Sequence, residues 1–331
     1  MSKNKATKTN RKTTGKTPAR PVVGGEAFPR IGLALGSGAA KALCQFGLIR
    51  KFQENKIPVS FIVGSSMGAI LGGIMALDLN MKFALEKAYR YAEATNLNNL
   101  TNFNLLHGSV YKSEYTERLL DELFGAHTFE DCKIPLVVTS VDLLTGEVIA
   151  LNKGPLVPAI KASTSIPGIF TPVLLKGRYL VDGGLLEDCP IGILKKMGSC
   201  DLLIGSSIKD VKNQQFIAEY IQKKFFPRGK KKDFIAAKLD ELKDDVTLIG
   251  AIILRSLDVL RSELWKYKKE EARPDLIYEI HTENINFFDF KKARELVKIG
   301  EKAFDRGFGK LKALIKQKKM MLNAAAKNDN L

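Results

Sequence analysis

Residues 60–77 read Ser60-Phe61-Ile62-Val63-Gly64-Ser65-Ser66-Met67-Gly68-Ala69-Ile70-Leu71-Gly72-Gly73-Ile74-Met75-Ala76-Leu77. The short apolar run Ser60–Val63 predicts a buried strand. Met67–Leu77, built from small and apolar residues, predicts a helix that can lie close against a sheet. Between them, Gly64-Ser65-Ser66-Met67-Gly68 has the form G-x-S-x-G in a strand–turn–helix setting, the signature of a nucleophile elbow. The central residue of such an elbow sits on a sharp, strained turn, so the residues two places away must be small; glycine at 64 and 68 meets that need. The helix that follows favours developing negative charge at its N-terminus. Ser66 is therefore the candidate nucleophile, and Ser65 fits only the flanking position.

Upstream, Arg30–Leu35 reads as a buried strand and Ala39–Gln53 as a helix with Leu43, Phe46, Leu48 and Ile49 on its apolar side. The link between them, Gly36-Ser37-Gly38-Ala39, offers backbone N–H groups at a helix start, and these suit an oxyanion hole. A dinucleotide fingerprint fails here because Lys41 takes the third glycine position, and a phosphate loop fails for want of G-K-[ST]. Downstream, 82–95 and 113–123 read as amphipathic helices. Pro135–Val141 and Val148–Leu151 read as strands joined by the Leu144–Gly146 turn, and Leu202–Ser207 as another buried strand. Beyond residue 209 the pattern is mostly helical, interrupted by an extended Leu276–His281. Strands alternating with helices predict an α/β fold with a mostly parallel sheet covered on both faces.

A serine nucleophile needs a base. The chain order Ser, Asp, His of one triad class would enlist His281, although its extended setting reads first as structural; His107 and His127 lie in polar, surface-like helical surroundings. The other candidate is Asp182, which ends the apolar stretch Tyr179-Leu180-Val181 and precedes Gly183-Gly184, where the backbone can approach a substrate closely. By itself that stretch reads first as an Asp-Gly hairpin turn. Four separated cysteines (Cys44, Cys132, Cys189, Cys200) and three histidines make no zinc pattern and read as reduced thiols.

The 331-residue chain is 45% hydrophobic and 27% charged, with a net charge of +16. That charge is localised: residues 1–30 carry +7, 223–232 carry +6 and 310–331 carry +5, leaving −2 for the rest. The body is near neutral, and the basic segments suit an anionic surface, membrane phospholipid included. Nucleic acid has less support, because neither tail interleaves aromatics with its cations. Within Phe216–Lys232, Ile217, Tyr220, Ile221 and Phe225 fall near helical spacing beside a basic cluster, as in an interfacial anchor. A core-packed helix followed by a solvated loop fits equally well. No stretch approaches the roughly 20 apolar residues of a spanning helix, and the N-terminus lacks a secretory h-region. The expectation is a cytoplasmic protein, peripheral on a membrane. Its parts would be a disordered basic tail (1–28), one domain (29–309) and a lysine-rich tail or frayed helix (310–331).

Taken together, these elements resemble the patatin-like phospholipase family. The resemblance runs from Ile31 to Phe304 and rests on Leu35-Gly36-Ser37-Gly38-Ala39-Ala40-Lys41, the elbow, Ala162-Ser163-Thr164-Ser165-Ile166-Pro167-Gly168-Ile169-Phe170, Asp182-Gly183-Gly184 and Asn286-Phe287-Phe288-Asp289-Phe290. It implies a three-layer α/β sandwich and a Ser66–Asp182 dyad with an oxyanion hole at Gly36, Gly38 and Ala39. The substrate would be phospholipid or another fatty-acyl ester, cleaved through an acyl-serine with no metal or organic cofactor. Two departures from the family loop G-x-G-G-x-[RK]-G stand out: Ala39 and Ala42 replace glycines, and Lys41 replaces the commoner arginine. Alanine keeps its N–H but is strained wherever φ must be positive. The departures leave room for an alternative, a catalytically weak regulatory or membrane-binding module on the same fold.

Overall fold

The computed structural model describes residues 20–23, 26–94, 114–197, 200–209, 255–282, 285 and 289–328. The Phe216–Lys232 anchor segment, His107 and most of Asn286–Phe290 lie outside them. A small hairpin, β1 (Val22–Val23) and β2 (Glu26–Ala27), precedes an eight-stranded sheet. The sheet contains β3 (Ile31–Leu35), β4 (Phe61–Ser65), β5 (Leu136–Asp142), β6 (Val148–Leu151), β7 (Val173–Leu175), β8 (Arg178–Asp182), β9 (Leu202–Lys209) and β10 (Leu276–His281). Its order is β10-β9-β3-β4-β5-β8-β7, with β6 paired to β5. The run from β10 to β5 is parallel, whereas β6, β7 and β8 are antiparallel to their neighbours.

The alternation of side chains along a strand divides the core in two. Ile31, Leu33 and Leu35 of β3, Ile62 of β4, and Leu136 and Val138 of β5 pack into one cluster. That cluster is completed by helices α1 (Cys44–Glu54), α2 (Met67–Ala76), α3 (Met81–Ala94), α4 (Glu114–Phe124), α5 (Leu156–Ser163) and, from the C-terminal part of the chain, α8 (Ala293–Asn328). Ala34, Phe61, Val63 and Val137 face the other way, onto α6 (Ile191–Lys196) and α7 (255–272), where Trp265 is buried. The result is a sheet with helices on both faces, as the sequence pattern requires.

Close approach depends on glycine at two places. At the elbow, Gly64 of β4 and Gly68 of α2 let the turn close and fold against the end of β3: a Cβ on Gly64 would stand 2.4 Å from the Gly68 carbonyl oxygen, and one on Gly68 2.1 Å from that of Leu35. Where α1 crosses α8, a Cβ on Gly300 would stand 1.7 Å from the Cys44 carbonyl oxygen and one on Gly47 2.0 Å from that of Val297.

Both expected boundaries move. Arg20 bonds Asp201 at 2.7 Å and Phe28 is buried in the core, so structure begins before residue 29. At the other end, α8 continues to Asn328, and Leu311 and Ile315 are core residues. The helix is anchored well past 309 because its apolar stripe continues through the lysines. The helix expected over Ala39–Gln53 opens as a 3-10 turn, Ala39–Leu43. The short α5, with Pro155 as its N-cap and Pro158 in its first turn where proline is tolerated, was not anticipated.

Candidate active site

Strand β5 acts as the ruler for the site. Val138 pairs with Gly64 of β4 and with Leu151 of β6, so those two strands lie on opposite edges of β5. Ser140 pairs with Ile149 of β6 and with Asp182 of β8, which places β8 on the same edge as β4. The two strands therefore approach end to end along one edge. β4 stops at Ser65, opposite Thr139, and β8 arrives from the other direction and stops at Asp182, opposite the next residue.

Ser66 and Asp182 meet at that junction. The Ser66 hydroxyl donates to Asp182 Oδ2 at 2.6 Å, and each residue is 5% exposed. Ser66 has φ 55° and ψ −125°, a conformation that costs a non-glycine residue about 1–3 kcal/mol. Its N–H is tied to Ser163 Oγ at 2.9 Å, at the end of α5, which holds the strained peptide in place. The other carboxylate oxygen of Asp182 accepts the Gly184 N–H at 2.6 Å. A Cβ on Gly183 would lie 2.3 Å from the Thr139 carbonyl oxygen, so the Asp-Gly-Gly turn needs glycine there. Burial pushes the Asp182 carboxyl up to about 6 from an ordinary 3.8, against the opposing pull of the Ser66 and Gly184 hydrogen bonds and of Arg261, while Asp188 adds to the rise.

The glycine-rich loop after β3 lies beside this pair. The three residues expected to line an oxyanion hole are placed differently from one another. The Gly36 N–H is already bonded to the Ser206 carbonyl oxygen and to Gln45 Oε1, both at 3.0 Å, while Gln45 Nε2 donates back to the Gly36 carbonyl at 2.8 Å. Gly36 therefore braces the loop and has no donor to offer. The Gly38 and Ala39 N–H groups, at the head of the 3-10 turn, meet no acceptor among the described residues. Gly38 has φ 144° and Ala39 φ 44°. The position of the alanine departure is thus one that demands positive φ. Lys41, 2% exposed, is among the largest fully buried side chains.

The two described histidines, His127 and His281, stand elsewhere. His281 ends the edge strand β10 with its side chain exposed, paired in register with Lys209, and His127 faces Asp131 at 3.9 Å. Among the described residues it is Asp182 that reaches Ser66. Sequence reading did not find Ser163, Gln45 or the Asp188–Arg261 pair. Ser163 lay within the quoted Ala162–Phe170 stretch, but only the fold brings its hydroxyl to the elbow.

The patatin-like phospholipase family matches residues 33–195. An uncharacterized NTE family protein of Mycobacterium tuberculosis is 35% identical over 196 residues, 58% of this chain and 52% of that protein. A patatin-like phospholipase domain-containing protein of Caenorhabditis elegans is 22% identical over 82% of this chain and 20% of its own length. The lysophospholipase NTE1 of Lodderomyces elongisporus is 28% identical over 51% of this chain and 12% of that protein. The chain thus spans about half the length of the mycobacterial relative and far less of the other two. VipD from Legionella pneumophila aligns over 85% of this chain and 68% of its own, at a TM-score of 0.43 and 14% identity, too remote to argue from. Through the segment that holds the elbow, the glycine-rich loop and the Asp-Gly-Gly turn, the chain belongs to the patatin-like phospholipase family.

Proposed function

We propose that the chain is a serine acyl hydrolase of lipid esters in which Ser66 is the nucleophile and Asp182 its base. The observation that carries this reading is the 2.6 Å hydrogen bond from Ser66 Oγ to a buried carboxylate raised to about 6, a base ionised at neutral pH yet basic enough to take a proton. Asp182 accepts the Ser66 proton as Oγ attacks the ester carbonyl. The Gly38 and Ala39 N–H groups stabilise the oxyanion, and the alcohol leaves with the proton from Asp182. Water, activated by the same carboxylate, then releases the fatty acid from acyl-Ser66. The family match supports a phospholipid or related fatty-acyl ester as substrate, and one relative is named a lysophospholipase.

Membrane contact through the basic segments belongs to the same proposal and rests on their charge and on the apolar spacing within Phe216–Lys232. Among the described residues no helix is long and apolar enough to cross a membrane. A second reading, a weakly catalytic module, is favoured by one observation, the alanine at φ 44° beside the proposed oxyanion hole. Hydrolysis of a short-chain nitrophenyl ester and labelling by a fluorophosphonate decide between them. The enzyme reading expects labelling at Ser66 and loss of hydrolysis in Ser66→Ala with the fold retained. Undiminished hydrolysis by Ser66→Ala refutes it.

A further inference from the structure

The loop that carries Gly38 and Ala39 is held by a residue outside both motifs. Asp188 lies in the connection between the Asp-Gly-Gly turn and α6. Its carbonyl oxygen accepts the Ser37 N–H at 2.7 Å, and its carboxylate Oδ1 accepts the Ser37 hydroxyl at 2.5 Å. Ser37 in turn presses on the peptide that holds Asp182. A Cβ on Gly184 would stand 2.8 Å from Ser37 Oγ and 2.9 Å from Asp182 Oδ1. From the far side, Arg261 of α7 brings Nη2 to 3.3 Å from the same Asp188 oxygen and, equally, to 3.3 Å from Asp258. The pair is largely shielded from water, with Arg261 19% and Asp188 14% exposed at the side chain.

We propose that Asp188 is a positioning residue and Arg261 its counter-charge: together they fix the Ser37–Ala39 loop and balance the charge beside Asp182. The proposal rests on the Ser66–Asp182 reading above. Its physical basis is the clash of two needs. The loop needs a strong acceptor for both Ser37 donors, and a carboxylate serves best. A second carboxylate near Asp182 opposes ionisation of the base. Arg261 resolves the conflict by neutralising Asp188 without taking it from Ser37.

The charged groups around Asp182 come from several elements. Asp188 pushes its carboxyl up and Arg261 holds it down. Glu187, on the same connection as Asp188, is bound by Lys268 of α7, and Asp142 at the far end of β5 is bound by Arg178 at 2.8 Å. Lys41 is buried in the 3-10 turn that follows the loop.

The test is the pH profile of kcat/KM for a soluble nitrophenyl ester in Asp188→Asn, Arg261→Gln and Asp188→Ala, with circular dichroism as the fold control. Asp188→Asn keeps an acceptor for Ser37 but removes the charge, so the acidic limb moves to lower pH. Arg261→Gln removes the opposing charge, so the limb moves to higher pH. A purely structural role gives no reason for the two partners of one ion pair to shift it in opposite directions. Asp188→Ala loses the loop brace and lowers kcat by about tenfold to a hundredfold with KM little changed. Limbs that stay at the wild-type position or move together overturn the proposal, as does an Asp188→Ala protein with wild-type kcat. If Asp188→Ala does not fold, the opposed shifts of the other two variants decide alone. Failure of the dyad reading is separate, because it shows as hydrolysis that survives Ser66→Ala.

Discussion

Replacing the proposed base should make the protein more stable while removing its activity. Asp182 is buried, and its carboxyl is raised from 3.8 to about 6. Between those values the folded chain holds a proton that the unfolded chain has released, so stability falls as pH rises through this window. Above pH 6 both states are ionised and the loss is complete. A displacement of roughly two units, at about 1.4 kcal/mol each, puts the burden on the fold at about 3 kcal/mol at pH 7. Asp182→Asn removes the charge but keeps the shape: the amide oxygen can still accept the Gly184 N–H, and the amide nitrogen can donate to Ser66 Oγ. Urea unfolding of both proteins at pH 7 should show the variant more stable by about 2–3 kcal/mol. At pH 4 the advantage should shrink to a small remainder, because wild-type Asp182 is then protonated in the fold and nearly half so in the unfolded chain. A variant less stable at pH 7, or an advantage of equal size at both pH values, refutes the account of Asp182 as a desolvated carboxylate. Hydrolysis of the nitrophenyl ester should be lost at both.

The same substitution should have unequal effects at two nearby positions. Ala39 sits at φ 44°, where an L-residue is strained by about 1–2 kcal/mol. Ala39→Gly relieves that strain against about 0.4–1 kcal/mol of added unfolded-state freedom and about 0.8 kcal/mol for the buried methyl, leaving stability within about 1 kcal/mol of the wild type in urea unfolding. Ala42 is fully buried at ordinary φ, so Ala42→Gly should cost about 1 kcal/mol or more; equal losses at both sites would count against the strain argument. Gly300→Ala places a methyl group 1.7 Å from the Cys44 carbonyl oxygen and should force α1 and α8 apart, with a loss of about 3 kcal/mol or more; a midpoint like that of the wild type would show that the crossing can give way.

Much of this architecture was legible because the strands are nearly continuous apolar runs. Ile31–Leu35, Phe61–Ser65, Leu136–Asp142 and Leu276–His281 fall within a residue or two of where the pattern puts them. The elements that escaped notice are the short ones. α5 and α6 have eight and six residues, too few to display a helical period, and each starts at a proline. For the site, the motif chemistry names Ser66 and Asp182, but their meeting depends on registers along β5 that no local pattern encodes. Gln45, Asp188 and Arg261 carry no motif of their own, and the Ala162–Phe170 stretch does not single out Ser163 within it. Each is an ordinary polar residue made particular by its partner, which for all but Gln45 lies far away in sequence. Gly36, which the family resemblance adds to the oxyanion hole, shows the same limit: a glycine-rich loop does not reveal which of its N–H groups already have an acceptor.

The end-to-end meeting of β4 and β8 makes the separation of Ser66 and Asp182 a discrete quantity. A slip of β8 by one residue along β5 would turn the Asp182 side chain to the opposite face of the sheet. A slip of two would restore the face but carry the carboxylate about 7 Å away. No intermediate register exists, so small changes to the sheet cannot weaken the contact by degrees; they leave it whole or abolish it. Gradual adjustment of this site must come from residues that alter charge or loop position while leaving the ladder untouched.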